Sequence, residues 1–148
     1  MRIAIVKLSA LGDIVHAMVV LQFIKEFNQE ISIDWVVEEA YKDLLESNPD
    51  INQIHITNLR KAKKKKSLHL LLNELSRLRK LGPYDVVIDM QGLIKSAIIT
   101  KLIPSQKTVG FDKFSIREKL AAIFYQHNFH YSYEKNIIER NIALIQFA

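Results

Sequence analysis

Short apolar, β-branched runs alternate along the chain with longer stretches whose apolar residues recur at helical spacing. "RIAIVKL" (2–8) is bounded by a turn and predicts a strand buried on both faces. Residues 13–27 then predict a helix, with Ile14, Met18, Leu21 and Phe27 among its apolar positions. "SIDWVVE" (32–38) predicts a second strand, and "AYKDLLESNPD" a short helix stopped at Asn48-Pro49. "INQIHIT" (51–57) alternates like a third strand, "SLHLLLNELSRLRKL" (67–81) is helical up to Gly82-Pro83, and "YDVVIDM" (84–90) is the clearest strand. A helix over 93–103, a strand at 107–111, a helix near 115–125, a strand at 127–133 and a last helix from about 135 complete the reading. Strand–helix alternation throughout implies an α/β fold: a mostly parallel sheet with helices on both faces.

In such sheets ligands gather beyond the carboxyl ends of the strands, near the switch in strand order. Two loops are expected side by side at that edge: Ser9 to Asp13 after the first strand, and Asp89 to Gly92 after the fourth. Neither carries a G-x-G-x-x-G or a G-x-x-x-x-G-K-[ST] pattern, so neither a standard dinucleotide site nor a P-loop is supported. Gly12 suits a tight turn or the close approach of a ligand. Asp13 is placed either as the N-cap of the following helix or as an acid at the edge of a cleft. A reciprocal capping box is missing from Asp13, because His16 stands three residues on. Asp89, closing "VVIDMQG", reads either as a strand-end residue satisfying turn amides or as a polar anchor facing the same cleft. Lys95, one turn into the next helix, is either a solvated lysine or a group reaching an anion there.

Composition narrows the class. The 148 residues are 49% hydrophobic and 25% charged, which fits one folded domain with a real core. No stretch approaches the roughly 18 unbroken apolar residues of a membrane helix. Lys7 and Asp13 interrupt the apolar start, so it is read as a buried strand and not as a signal peptide. With no cysteine there are no disulfides or thiolate metal sites, which suits a cytoplasmic protein. His127 and His130 have a spacing that metals sometimes use, but no third ligand accompanies them. Trp35 and the aromatic residues at 124, 125, 129, 131 and 133 read as core or interface.

The net charge of +5 is concentrated. "RKAKKKK" (60–66) holds six basic residues, and the rest of the chain has 15 basic against 16 acidic, a net of −1. An anionic partner is therefore expected to meet the protein there. The run reads as a solvated loop or helix start, as a nucleic-acid contact, or as a contact with the phosphorylated face of a lipid or an anionic membrane. No aromatic residue is interleaved for base stacking. About 1 kcal/mol per basic side chain at an anionic membrane is enough to hold a protein there.

Taken together, "RIAIVKLSALGDIVHA", "IDWVVEEAY", "YDVVIDMQGLIKSA", "VGFDKFSIREKLAAIFY" and "ERN" (139–141) resemble the N-terminal half of the lipopolysaccharide heptosyltransferases, from residue 1 to about 141. The resemblance implies a Rossmann-like domain, the N-terminal, acceptor-binding half of a GT-B glycosyltransferase. It implies an inverting transfer of L-glycero-D-manno-heptose from ADP-heptose to Kdo of the lipid A-Kdo2 inner core, without a cofactor or a tightly bound metal. Asp13 would be the general base that takes the proton of the attacking Kdo hydroxyl. Arg60, Lys61, Lys63, Lys64 and Arg117 would meet the acceptor's phosphates and carboxylates. Ser9, Gly12, Asp89, Gln91 and Gly92, from the two loops, and Lys95, from the first turn of the next helix, would complete the acceptor site. ADP-heptose would be held mainly by a C-terminal domain absent from this chain. The protein would work at the cytoplasmic face of the inner membrane, peripherally attached, with no nucleic-acid partner. Family members are about two domains long, so this chain by itself is expected not to turn over ADP-heptose. It is also expected to leave an apolar docking patch bare, with dimers or poor solubility as a result. The competing reading is a non-catalytic Rossmann-like module that holds a lipid surface or a nucleic acid through its lysines.

Overall fold

The computed structural model describes residues 1–148. Six strands form one sheet: β1 (Arg2–Val6), β2 (Ser32–Glu38), β3 (Gln53–Thr57), β4 (Tyr84–Asp89), β5 (Ser105–Phe111) and β6 (His127–Phe129). Every neighbouring pair is parallel, and the order is β3-β2-β1-β4-β5-β6. Five helices accompany them: α1 (Leu11–Phe27), α2 (Leu59–Lys64), α3 (Leu68–Leu78), α4 (Ile94–Leu102) and α5 (Ile137–Phe147). The expected parallel α/β fold is the one observed.

The two faces follow from the period of two in a strand. Ile3 and Ile5 of β1 turn toward α1 and α5, where they share a core with Ile14, Leu21 and Leu144. Ala4 and Val6 turn the other way and pack with Leu78 of α3 and Ile99 of α4. A strand covered on both sides has no polar face, which is why "RIAIV" does not alternate. Trp35 is fully buried, and its indole N–H donates to the carbonyl of Lys7 at 3.1 Å. Phe27, by contrast, is 86% exposed at the end of α1 and takes no part in the core.

Strand order reverses between β1 and β4, whose register pairs Val6 with Asp89. Both loops after these strands therefore start at the same height on the same edge.

Local structure departs from the periodic reading in three places. Residues 39–44 form a 3₁₀ helix instead of an α-helix. Of the two backbone readings of the lysine run, loop or helix start, the helix is the one observed: α2 carries the run as far as Lys64, and Lys66 takes a left-handed conformation (φ 48°) that turns the chain into α3. The expected helix near 115–125 is a bend followed by a 3₁₀ turn over Lys119–Phe124. Asp112 is the reason: its carboxylate accepts from the backbone N–H of Phe114 (3.1 Å) and the hydroxyl of Ser115 (2.6 Å), local bonds that compete with a helix. The strand expected at 127–133 stops at Phe129, because the N–H of Tyr131 turns to the Ser115 hydroxyl at 2.9 Å.

Candidate active site

The two loops at the switch point are tied to each other. The side-chain carbonyl of Gln91 accepts the backbone N–H groups of Leu8 (3.1 Å) and Ser9 (3.2 Å), and the N–H of Met90 reaches the carbonyl of Val6 at 3.0 Å. Gly92 has φ +69°, and a Cβ there would lie 2.7 Å from Ile116 Cγ2. Both the conformation and the space call for glycine.

Asp13 is not the N-cap. Helix α1 begins at Leu11 with Ala10 as its cap, so Asp13 is its third residue and reaches back to the Ala10 N–H at 3.5 Å. That is the acid half of a capping box, and alanine has no side-chain acceptor to supply the other half. Gly12 likewise lies inside the first helical turn, with open space where a Cβ would stand, so no tight turn depends on it. Asp13 is exposed and otherwise unpartnered, and it lines a cavity of about 430 Å³.

Around that cavity stand Gln91, Gly92, Arg117, Lys7, Lys135 and Arg140, with Tyr133, Phe111 and Ile116 among its walls. Arg140 is buried against the rings of Phe111 (4.7 Å) and Tyr133 (4.8 Å) and donates to the carbonyls of Ser115 and Ser132. Its Nε is left without a partner. Arg117 lies 5.5 Å from the same Tyr133 ring. Such cation–π seats hold the two guanidinium groups at the wall. Lys7 is also buried, with its ammonium 3.3 Å from the Met90 carbonyl. Burial pushes its pKa down, the charges of Asp13 and Asp89 pull it back up, and Arg140 lowers it further. Burial likewise lowers that of Arg140. One carboxylate thus faces a cleft with four cationic side chains, a potential that gathers anions.

Asp89 does not face this cleft, contrary to the polar-anchor expectation. It is fully buried, and its carboxylate accepts from the N–H groups of Gln91 (2.7 Å) and Gly92 (3.1 Å) and from the hydroxyls of Ser96 (2.8 Å) and Tyr125 (2.6 Å). Burial pushes its pKa up while these donors hold it down, and the net direction is up. It builds the loop on which Gln91 stands.

The basic segment is not in the Asp13 cleft either. Glu38, buried at the end of β2, draws Lys95 to 2.8 Å and Arg60 to 3.9 Å. Arg60, Lys61 and Lys64 border a hollow of about 570 Å³ beside Glu38. Ser9, Lys63 and Lys95 border a larger groove of about 1080 Å³ between α2, α3 and α4. The expected site therefore divides: Asp13, Gln91, Gly92 and Arg117 come together, while Ser9, Arg60, Lys61, Lys63, Lys64 and Lys95 gather on the neighbouring side of the β1 loop. Lys7, Tyr133, Lys135 and Arg140 belong to the first cleft and are not among the site residues expected from sequence. The signal for Lys7 was its interruption of the apolar run, just past the end of β1. His130 pairs with Asp112 at 2.8 Å.

A doubly wound parallel sheet with an open, charged cleft at its switch point defines a Rossmann-type ligand-binding domain. Residues 75–148 match glycosyltransferase family 9 (heptosyltransferase), and the chain belongs to that family. Among curated relatives, lipopolysaccharide heptosyltransferase 1 of Campylobacter coli is 40% identical over 147 residues, covering 99% of this chain and 41% of that protein. The same enzyme of Escherichia coli K12 is 32% identical, covering 97% of this chain and 46% of that protein. The solved structure of E. coli heptosyltransferase WaaC with ADP superposes with a TM-score of 0.90 at 30% identity, over 99% of this chain and 47% of that one. The structure of WaaC with ADP-2-deoxy-2-fluoro heptose gives 0.91. The chain spans about half the length of the curated relatives it matches.

Proposed function

We propose that this chain is the acceptor-binding, N-terminal half of an inverting GT-B heptosyltransferase that acts in lipopolysaccharide core assembly. The donor is ADP-heptose and the acceptor is Kdo of Kdo2-lipid A. The observation that carries the reading is Asp13: an exposed carboxylate with one long N–H contact, held by α1 at the mouth of a cationic cleft. In the transfer, an acceptor hydroxyl oxygen attacks the anomeric carbon of the heptose. The new glycosidic bond forms as the bond to the ADP oxygen breaks, and ADP departs with that electron pair. Asp13 takes the hydroxyl proton, and its fixed place on a rigid helix matters more than its intrinsic basicity. Arg117, Lys7, Lys135 and Arg140 offset the negative charge of the acceptor and of the departing diphosphate. The charged rim from Arg60 to Lys64, with Lys95, receives the remaining acidic groups of the acceptor. The reaction uses no cofactor, and the protein works peripherally at the cytoplasmic face of the inner membrane.

The test uses a polypeptide spanning the full length of the relatives. Asp13→Asn is expected to leave acceptor affinity nearly intact and to remove most turnover. A fully active variant reduces Asp13 to a helix-end residue and overturns the proposal.

A further inference from the structure

Helix α3 carries an apolar face that no other element of this chain fully covers. Leu68, Leu71, Leu72 and Leu75 are spaced i, i+3, i+4, i+7, the stripe that by pattern alone would face a core. The structure buries a different side of the helix. Glu74 points inward to the N–H of Asn58 at 3.2 Å, Arg77 bonds the carbonyl of Ile56, and Leu78 enters the core. At 100° per residue the leucine stripe is turned roughly a quarter turn from that side. Leu68 is 68% exposed, Leu72 56% and Leu71 36%. Leu68, Leu71 and Leu75 form the wall of the α2–α3–α4 groove with Ile98 of α4, and Lys63 and Lys66 stand at its rim. Four adjacent lysines, Lys63 to Lys66, run from the last turn of α2 into the turn just before the stripe begins, and all four are exposed.

We propose that the α2–α3 hairpin is a membrane-docking device, in which the leucine stripe enters the acyl boundary of a bilayer and the lysines bind its anionic headgroups. An apolar helical face next to a basic cluster is the chemistry of an interfacial helix. Charge complementarity selects the occupant: the chain's excess positive charge lies in this one segment, and the rest is close to neutral. A second copy of this chain would set the same lysine cluster against its own and be repelled there. A nucleic acid would find leucines where it needs stacking rings. The placement deepens the proposed function, since Ser9 and Ala10 of the β1 loop also border the groove, so a docked hairpin brings the Asp13 cleft to the bilayer surface.

The test is cosedimentation of the purified chain with vesicles, and it does not depend on glycosyl transfer. Vesicles of phosphatidylcholine with about one-third phosphatidylglycerol should bind it, and phosphatidylcholine alone should bind it at least about tenfold more weakly, with added salt narrowing the gap. Leu68→Ser with Leu72→Ser should lower partitioning on the anionic vesicles about tenfold, as should Lys63→Ala with Lys66→Ala. Both leucines are exposed, so the circular dichroism spectrum should be unchanged. Leu120→Ser removes an equally exposed leucine elsewhere (64%) and should bind like the parent. Binding that ignores the leucines, binding to RNA without vesicles, or a leucine-dependent dimer in vesicle-free sedimentation each overturns the docking proposal. None of these touches the role of Asp13, which stands or falls on turnover.

Discussion

Two aspartates stand at the carboxyl ends of neighbouring strands in opposite surroundings. Asp89, the last residue of β4, is buried under four hydrogen-bond donors. Asp13, after β1, is exposed and meets a single N–H at 3.5 Å. The buried one has no lone pair directed at solvent and shapes the loop that carries Gln91. The open one has no donor besides the Ala10 N–H and faces the cleft. The same residue type is thus saturated or left open according to how many donors its neighbours aim at it.

The sharpest way to break this contrast is to exchange its outcomes. Asp89→Ala strands two hydroxyls and two amides in the core, so it should cost about 5 kcal/mol of stability in urea unfolding, or prevent folding. A loss under about 1 kcal/mol would refute the scaffold role. Asp13→Asn in the full-length enzyme should lower kcat on the order of 10³-fold, about 4 kcal/mol of barrier, while the midpoint of urea unfolding moves little. Tyr125→Phe keeps the ring but removes one donor from Asp89, and should cost about 1.5–3 kcal/mol in the same unfolding assay. Arg117→Ala should raise the acceptor KM about tenfold with kcat less affected, because an exposed cation at the wall mainly gathers substrate.

The smallest effect concerns the bend after β5. Burial pushes the pKa of Asp112 up, but bonds from Ser115, His130 and the Phe114 amide outweigh it and hold the carboxylate below its usual range. A depressed folded-state value means stability that is complete above the unfolded value near 4 and is lost as pH falls through the folded one. Acid unfolding of the parent should therefore include a component below about pH 4 that Asp112→Asn lacks, visible as a shallower pH dependence of the unfolding midpoint.

Much of the fold was legible because burial writes itself into periodicity. The unbroken apolar runs of β1 and β4 and the helical spacing between them are enough for a doubly covered parallel sheet, and Gly92 marked a loop that does need a left-handed residue. The bend at 112–118 was not legible, since "DKFSIREKL" has respectable helical composition. The competing bonds come from Asp112 and from Tyr131, which is distant in sequence. The site residues were partly legible. Asp13 could be named from the turn it sits on, and Gln91 and Arg117 only through the family resemblance, but the lysine run could not be assigned to a separate groove, nor Arg140 to the cleft wall. The pull of Glu38 on Lys95 and Arg60, and the stacking of Arg140 on Phe111 and Tyr133, join residues from different elements.

The amino-acid pattern was enough to say which segments must leave water, where most of the strands and helices end, and that the positive charge sits in one place. Those are local properties, set by side-chain chemistry and spacing along the backbone. Only the tertiary structure decided that Asp89 is saturated while Asp13 is open, and that α3 buries Glu74 while it shows its leucines to solvent. Both depend on which donors and surfaces from remote elements arrive in the same volume, and a pattern with a period of two or 3.6 residues carries no record of that.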